Sequence, residues 1–89
     1  MNPYKKNQTL FNIAKEKAKK LNVEIRPSNK KYKKLDVITK DKIISIGDTR
    51  YDDFNIHKDE KRRANYKARH QKFRTKKGSA SYFADKILW

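Results

Sequence analysis

Apolar positions follow a helical step at the front of the chain and an alternating one in its middle. Leu10, Ala14, Lys17 or Ala18, and Leu21 share one face, which predicts a helix from about Asn7, capped by Asn7 or Thr9. Phe11 joins that stripe from its edge. Ahead of it, residues 1–6 (MNPYKK) read as a flexible lead, because Pro3 blocks a helix start and little there is buriable. The domain itself is expected to span residues 7–89. Asn22 ends the helix, and Val23–Arg26 begins an extended piece, since a residue before proline (Pro27) is pushed out of the α region. Residues 28–31 then form a turn or loop.

Residues 34–39 and 42–46 are dense in β-branched side chains and read as two strands. Lys40-Asp41 between them is short enough for a tight hairpin turn. Leu35, Val37 and Ile43, with Ile46 as a further candidate, form the expected apolar set. Two strands alone are barely stable in water, so the pair needs a helix or a third strand, which Val23–Arg26 can supply. Gly47-Asp48 breaks the run.

Beyond the hairpin, residues 47–60 (GDTRYDDFNIHKDE) hold five of the carboxylates, and Lys61–Lys77 holds nine Lys or Arg and no acid. Asp59 as cap, Glu60 in the first turn and cations toward the far end all suit a helix dipole. Arg63, Tyr66, His70 and Phe73 fall on steps of three, four and three, so one side of this predicted basic helix carries rings. Gly78 stops it; Ser79 or Ser81 caps a last short helix, Tyr82–Trp89, with Phe83, Ile87 and Leu88 as its apolar face. The expected fold is α+β: a small single domain with an N-terminal helix, a two- or three-stranded antiparallel sheet, a basic helix and a short C-terminal helix.

Composition narrows the partner more than the fold. In 89 residues, 25 Lys+Arg face 10 Asp+Glu, a net charge of +15, and 35% of residues are hydrophobic. So much like charge opposes compaction unless something acidic stands nearby. Nucleic acid, an anionic membrane or an acidic protein surface would serve. The membrane ranks last because the basic helix has only a thin apolar stripe. The absence of cysteine removes disulfides, thiolate zinc sites and cysteine nucleophiles. No apolar run suggests a signal peptide or a membrane span.

The basic segment supplies the candidate binding residues for nucleic acid or an acidic surface: Lys61, Arg62, Arg63, Lys67, Arg69, Lys72, Arg74, Lys76 and Lys77. Tyr66, Phe73, Phe83, Leu88 and Trp89 are candidate interface anchors, although the terminal three apolar residues serve equally well to close a small core. Tyr4 and Phe11 are further candidates for anchoring. His57, Asn65 and His70 invite comparison with His-Asn-His nucleases, but Asn65 and His70 lie five residues apart on one helix, and Arg62, Arg63, Arg69 and Lys72 disfavour a cation. The histidines are expected to hydrogen-bond to the acidic loop or pack on Tyr66. Asp52-Asp53, with Asp48 upstream, is expected to pair internally with Arg50, Arg62 or Arg63. No catalytic residue, metal or cofactor is expected.

The run GDTRYDDFNIHKDEKRRANYKARH resembles a family of small basic proteins of crAss-like phages and large DNA viruses. The matching positions are Gly47, Asp48, Tyr51, Asp53, Phe54, His57, Asp59, Arg62, Tyr66, Arg69 and His70, followed by Leu88 and Trp89 in an apolar terminal helix. The resemblance covers about Ile43 to Trp89. It implies a virion component rather than an enzyme, similar to an auxiliary protein at the portal vertex of a tailed bacteriophage. Its implied partners are capsid or portal subunits, in several copies, with non-specific contact to packaged DNA and no membrane. A sequence-neutral, histone-like DNA-binding protein is the alternative.

Overall fold

A computed structural model describes residues 2–89. Six helices, named α1 to α6 in chain order, surround a three-stranded antiparallel sheet, so the α+β expectation holds. Short α1 (Pro3–Lys6) leads into α2 (Gln8–Lys19), then β1 (Glu24–Pro27), β2 (Leu35–Ile38) and β3 (Ile43–Ile46). The remaining chain forms α3 (Phe54–His57), α4 (Glu60–Arg69), α5 (Gln71–Arg74) and α6 (Ala80–Ile87).

The stretch read as a flexible lead is structured from Asn2 onward. Pro3 occupies the first helical turn, where its missing N–H is not needed, and the Asn2 side chain caps the turn by accepting from Tyr4 N at 3.0 Å. Tyr4 is 1% exposed and belongs to the core rather than to an interface. The same Asn2 amide donates to the carbonyls of Ser28 and Lys34, at 3.3 and 2.6 Å, which ties the turn to the loop before β2. Asn7 caps α2 through Leu10 N, and Leu10, Ala14 and Ala18 are buried along the predicted face.

The sheet is a meander with β2 in the centre. Leu35 pairs with Ile46 and Val37 with Ile44, while Ile25 and Pro27 on β1 oppose Val37 and Leu35. Leu35, Val37 and Ile46 are buried on the face that receives α2 and α6, and Ile44 packs against them. Ile43, expected in the apolar set, stands 49% exposed on the other face. The two-residue turn decides this, because Thr39 pairs with Lys42, Ile38 then meets Ile43, and alternation puts Ile44 inside. On the outer face Asp36 accepts from Arg26 Nε at 3.2 Å and Ser45 Oγ at 2.7 Å.

The expected single basic helix is two. His70 leaves helical geometry (φ −103°, ψ 12°), and its imidazole Nδ1 shares the Tyr66 carbonyl with its own backbone N–H. The bend lays α5 back on α6. There Lys67 and Arg74 both reach the buried Asp85, at 2.8 and 3.5 Å. Asp59 caps α4 through Lys61 N and Arg62 N, and Ser79 caps α6 through Tyr82 N. Phe83 and Leu88, 6% and 1% exposed, are core residues, so neither is available as an interface anchor.

Candidate docking groove

The loop at 47–53 faces α4 and α5 across an open groove of about 1120 Å³. Gly47, Asp48, Tyr51 and Asp53 line the loop side, and Arg62, Tyr66, Arg69 and His70 line the helical side. Leu88 and Trp89 lie between them. Ten of the thirteen positions that carry the sequence resemblance therefore converge on one concavity. Phe54, His57 and Asp59 lie outside it.

Gly47 has to be glycine for two reasons. Its φ of +83° is the left-handed region, and a Cβ there would stand 2.9 Å from Lys34 Cβ and Cδ and 3.0 Å from Leu88 Cδ1. The close approach seats the loop over Lys34, whose ammonium meets Asp53 Oδ2 at 2.8 Å with both side chains buried. Asp53 also accepts the Tyr4 hydroxyl at 2.9 Å and caps α3 through Ile56 N. Burial, reinforced by the Asp53 charge, pushes the Tyr4 phenol far above its ordinary range, so it remains a donor. The Asn55 amide donates to Tyr4 Oη at 3.2 Å and to the Ile87 carbonyl at 2.9 Å, and its oxygen accepts from Lys17 Nζ at 2.5 Å. Burial, with Arg63 nearby, lowers the Lys17 pKa. The network clamps α1, α2, the loop and α6 together beneath the groove.

The histidines belong to a run of rings. Tyr66 lies between His70 and Trp89, each 4.1 Å from it centroid to centroid, nearly parallel to Trp89 at 4°. His57 follows on Trp89 at 5.2 Å, and its Nδ1 accepts from Asp59 N. Arg63 Nε holds the Trp89 carbonyl at 2.8 Å while its guanidinium covers the Phe54 ring at 4.8 Å. His57 and His70 thus sit at the two ends of a stack with Trp89 and Tyr66 between them. Asn65 lines the groove. Among the described residues no group of three His, Asp or Glu is placed to hold a metal ion.

The acidic pair separates in space. Asp53 binds Lys34 rather than Arg62 or Arg63, and Asp52 stays exposed on the loop. Asp48 takes a two-pronged grip from Arg50, with contacts of 3.0 and 2.8 Å, and the Arg50 hydrogen bonds lower its pKa to about 2. Of the nine basic candidates, Arg63, Lys67 and Arg74 are committed to internal contacts with Glu60 or Asp85. Lys61, Arg62, Arg69, Lys72, Lys76 and Lys77 are exposed and have no carboxylate partner among the described residues.

Among the candidate anchors, Phe73 projects at the groove edge, 59% exposed, and Tyr51 faces solvent from the loop, 70% exposed. Tyr66 and Trp89 form a half-buried platform. Lys34, Asn55 and Asp85 escaped the sequence reading, since nothing in a local pattern announces a buried lysine or a carboxylate reached by two separate helices.

Residues 23–70 match a family of unknown function, DUF5754. No curated protein and no solved structure matches the chain. No helix among the described residues is long and apolar enough to cross a membrane.

Proposed function

The chain belongs to that family, and we propose that it is a non-enzymatic docking protein whose groove and cationic rim attach it to an acidic surface of a larger assembly. The observation that carries this reading is the uneven distribution of charge. Six of the 25 Lys and Arg side chains pair with carboxylates among the described residues, and α4–α5 directs unpaired cations outward beside exposed rings. Cations supply attraction and orientation, while packing of a partner on Tyr51, Phe73 and the Tyr66–Trp89 platform supplies residence. The ring stack places both histidines and the buried network holds Asp53, while His57 Nε2 is buried without a hydrogen-bond partner. From the resemblance of residues 43–89, the assembly is a tailed-phage virion, and the acidic surface belongs to capsid or portal subunits at or near the portal vertex.

The test quantifies the polypeptide in purified particles before and after genome release, for the wild type and for Arg62→Glu/Arg69→Glu. Retention of the wild type after release, with loss of the charge-reversed variant, supports docking on protein. Departure together with the DNA supports the histone-like reading instead, as does a gel shift that persists near physiological salt. Equal incorporation of both variants rejects the groove as the attachment site.

A further inference from the structure

A second concavity, of about 410 Å³, lies where the α1 turn meets the loop before β2. Five lysines line it: Lys5 and Lys6 from the turn, and Lys30, Lys31 and Lys33 from the loop. No carboxylate lines it. Asp48, close by in sequence to its Thr49 wall, is already held by Arg50. None of the five lysines has a carboxylate partner among the described residues. Gathering ammonium groups around a hollow opposes folding unless an anion offsets their repulsion.

The walls are organised rather than loose. The Asn2 amide fastens the turn to the Ser28 and Lys34 carbonyls, Lys5 Nζ hydrogen-bonds the Asn29 side chain across the gap, and Ser28 Oγ accepts from Lys30 N. Tyr32, a bulky residue, adopts φ +65° in the left-handed region. Its carbonyl accepts from Thr49 N at 2.9 Å, and the Arg50 guanidinium stacks on its ring at 4.3 Å. The strained residue thus holds Lys31 and Lys33 on either side of it at the pocket. A hollow of small-ligand size, lined by five lysines and walled by hydrogen-bonded loops, suits a compact anion.

We propose that this pocket binds a multiply charged phosphate group, distinct from the α4–α5 groove in position and in residues. Several lysine ammonium groups, each acting as a point charge, suit the dispersed charge of a phosphate chain better than that of a single carboxylate. Two sources share that chemistry, a free polyphosphate and the backbone of a nucleic acid strand.

Calorimetric titration of the full chain with inorganic triphosphate and, separately, with a 16-base-pair duplex tests the assignment and tells the sources apart. Lys31→Gln/Lys33→Gln is compared with Lys15→Gln/Lys19→Gln on the exposed side of α2, which removes the same charge outside the pocket. The expected result is triphosphate affinity weakened at least about tenfold by the pocket pair and less than about twofold by the control pair. Duplex affinity unchanged in the pocket variant identifies free polyphosphate as the source; loss of both identifies strand phosphates, as does pocket-dependent duplex binding without triphosphate binding. Equal weakening by the two pairs, or no binding of either probe to the wild type, overturns the proposal.

Discussion

Replacing Lys34 by methionine tests whether the clamp beneath the groove holds the domain together. Lys34 and Asp53 are 2% and 1% exposed at the side chain and meet at 2.8 Å. Methionine fills a similar volume, so the cost is electrostatic: Asp53 keeps the Tyr4 hydroxyl and Ile56 amide but loses its cation. Breaking a buried pair from one side costs about 3–5 kcal/mol. At 0.05–0.15 kcal/mol per residue, the whole domain is worth about 4–13 kcal/mol. The single substitution therefore removes about a quarter or more of the stability. In Lys34→Met/Asp53→Asn no unpaired charge remains, while asparagine still accepts from Tyr4 and caps α3. This double variant should regain about 2 kcal/mol over Lys34→Met. Urea unfolding followed by circular dichroism and by the fluorescence of Trp89, the sole tryptophan, measures both. A loss under about 1 kcal/mol in Lys34→Met, or a double variant no more stable than that single one, would refute the clamp.

Three further outcomes follow from the same geometry. Gly47→Ala should cost about 2–5 kcal/mol by combining left-handed strain with overpacking on Lys34 and Leu88, whereas Gly78→Ala, at φ +86° with nothing within 4 Å of the added carbon, should cost about 1–2 kcal/mol; equal losses in thermal melts would remove the close-approach argument. Tyr4→Phe should cost about 1.5–3 kcal/mol in urea unfolding, since a hydrogen bond to a buried charge is lost; a neutral result would return the α1 turn to the status of a loose lead. The Asp48 carboxyl should titrate at about 2 in the folded chain and move back toward 3.8 in Arg50→Gln, read by carboxyl-carbon NMR. Because the folded value is depressed, its contribution to stability is complete above the unfolded value and disappears as pH falls through about 2; an unshifted Asp48 would sink the Arg50 grip.

Where a local rule had one dominant input, the sequence was readable. Asn7, Asp59 and Ser79 cap the helices expected of them, and the strand before Pro27 follows from the restriction proline places on its neighbour. Ile43 faces outward although the two-residue turn lies where the sequence puts it, because the register the turn sets, and not hydrophobicity, decides which face a strand residue takes. Pro3 is a barrier inside a helix but a starter at its first turn, and what justifies a turn there is the distant burial of Tyr4 against Asp53. The break at His70 brings Lys67 and Arg74, on either side of the bend, to Asp85 in another helix, a contact that no local pattern announces.

The site divides along the same line. Asp53, His57 and His70, the residues whose types most suggest chemistry, are taken up by pairing and stacking inside the molecule. Their placement is that of a scaffold. What that scaffold leaves unspent is Tyr51 and Phe73 as exposed rings, Arg62 and Arg69 on one wall, and the lysines beyond them. The sequence names these residues too, through the run at 47–70 and the steps that end on Phe73, but only the fold separates the positions it buries from those it leaves outward. A fold that stacks its histidines on its own rings and leaves most of its cations without carboxylate partners among the described residues supports the proposed docking on an acidic surface, and on that proposal the strength of the hold should fall with added salt while the ring stack stays intact.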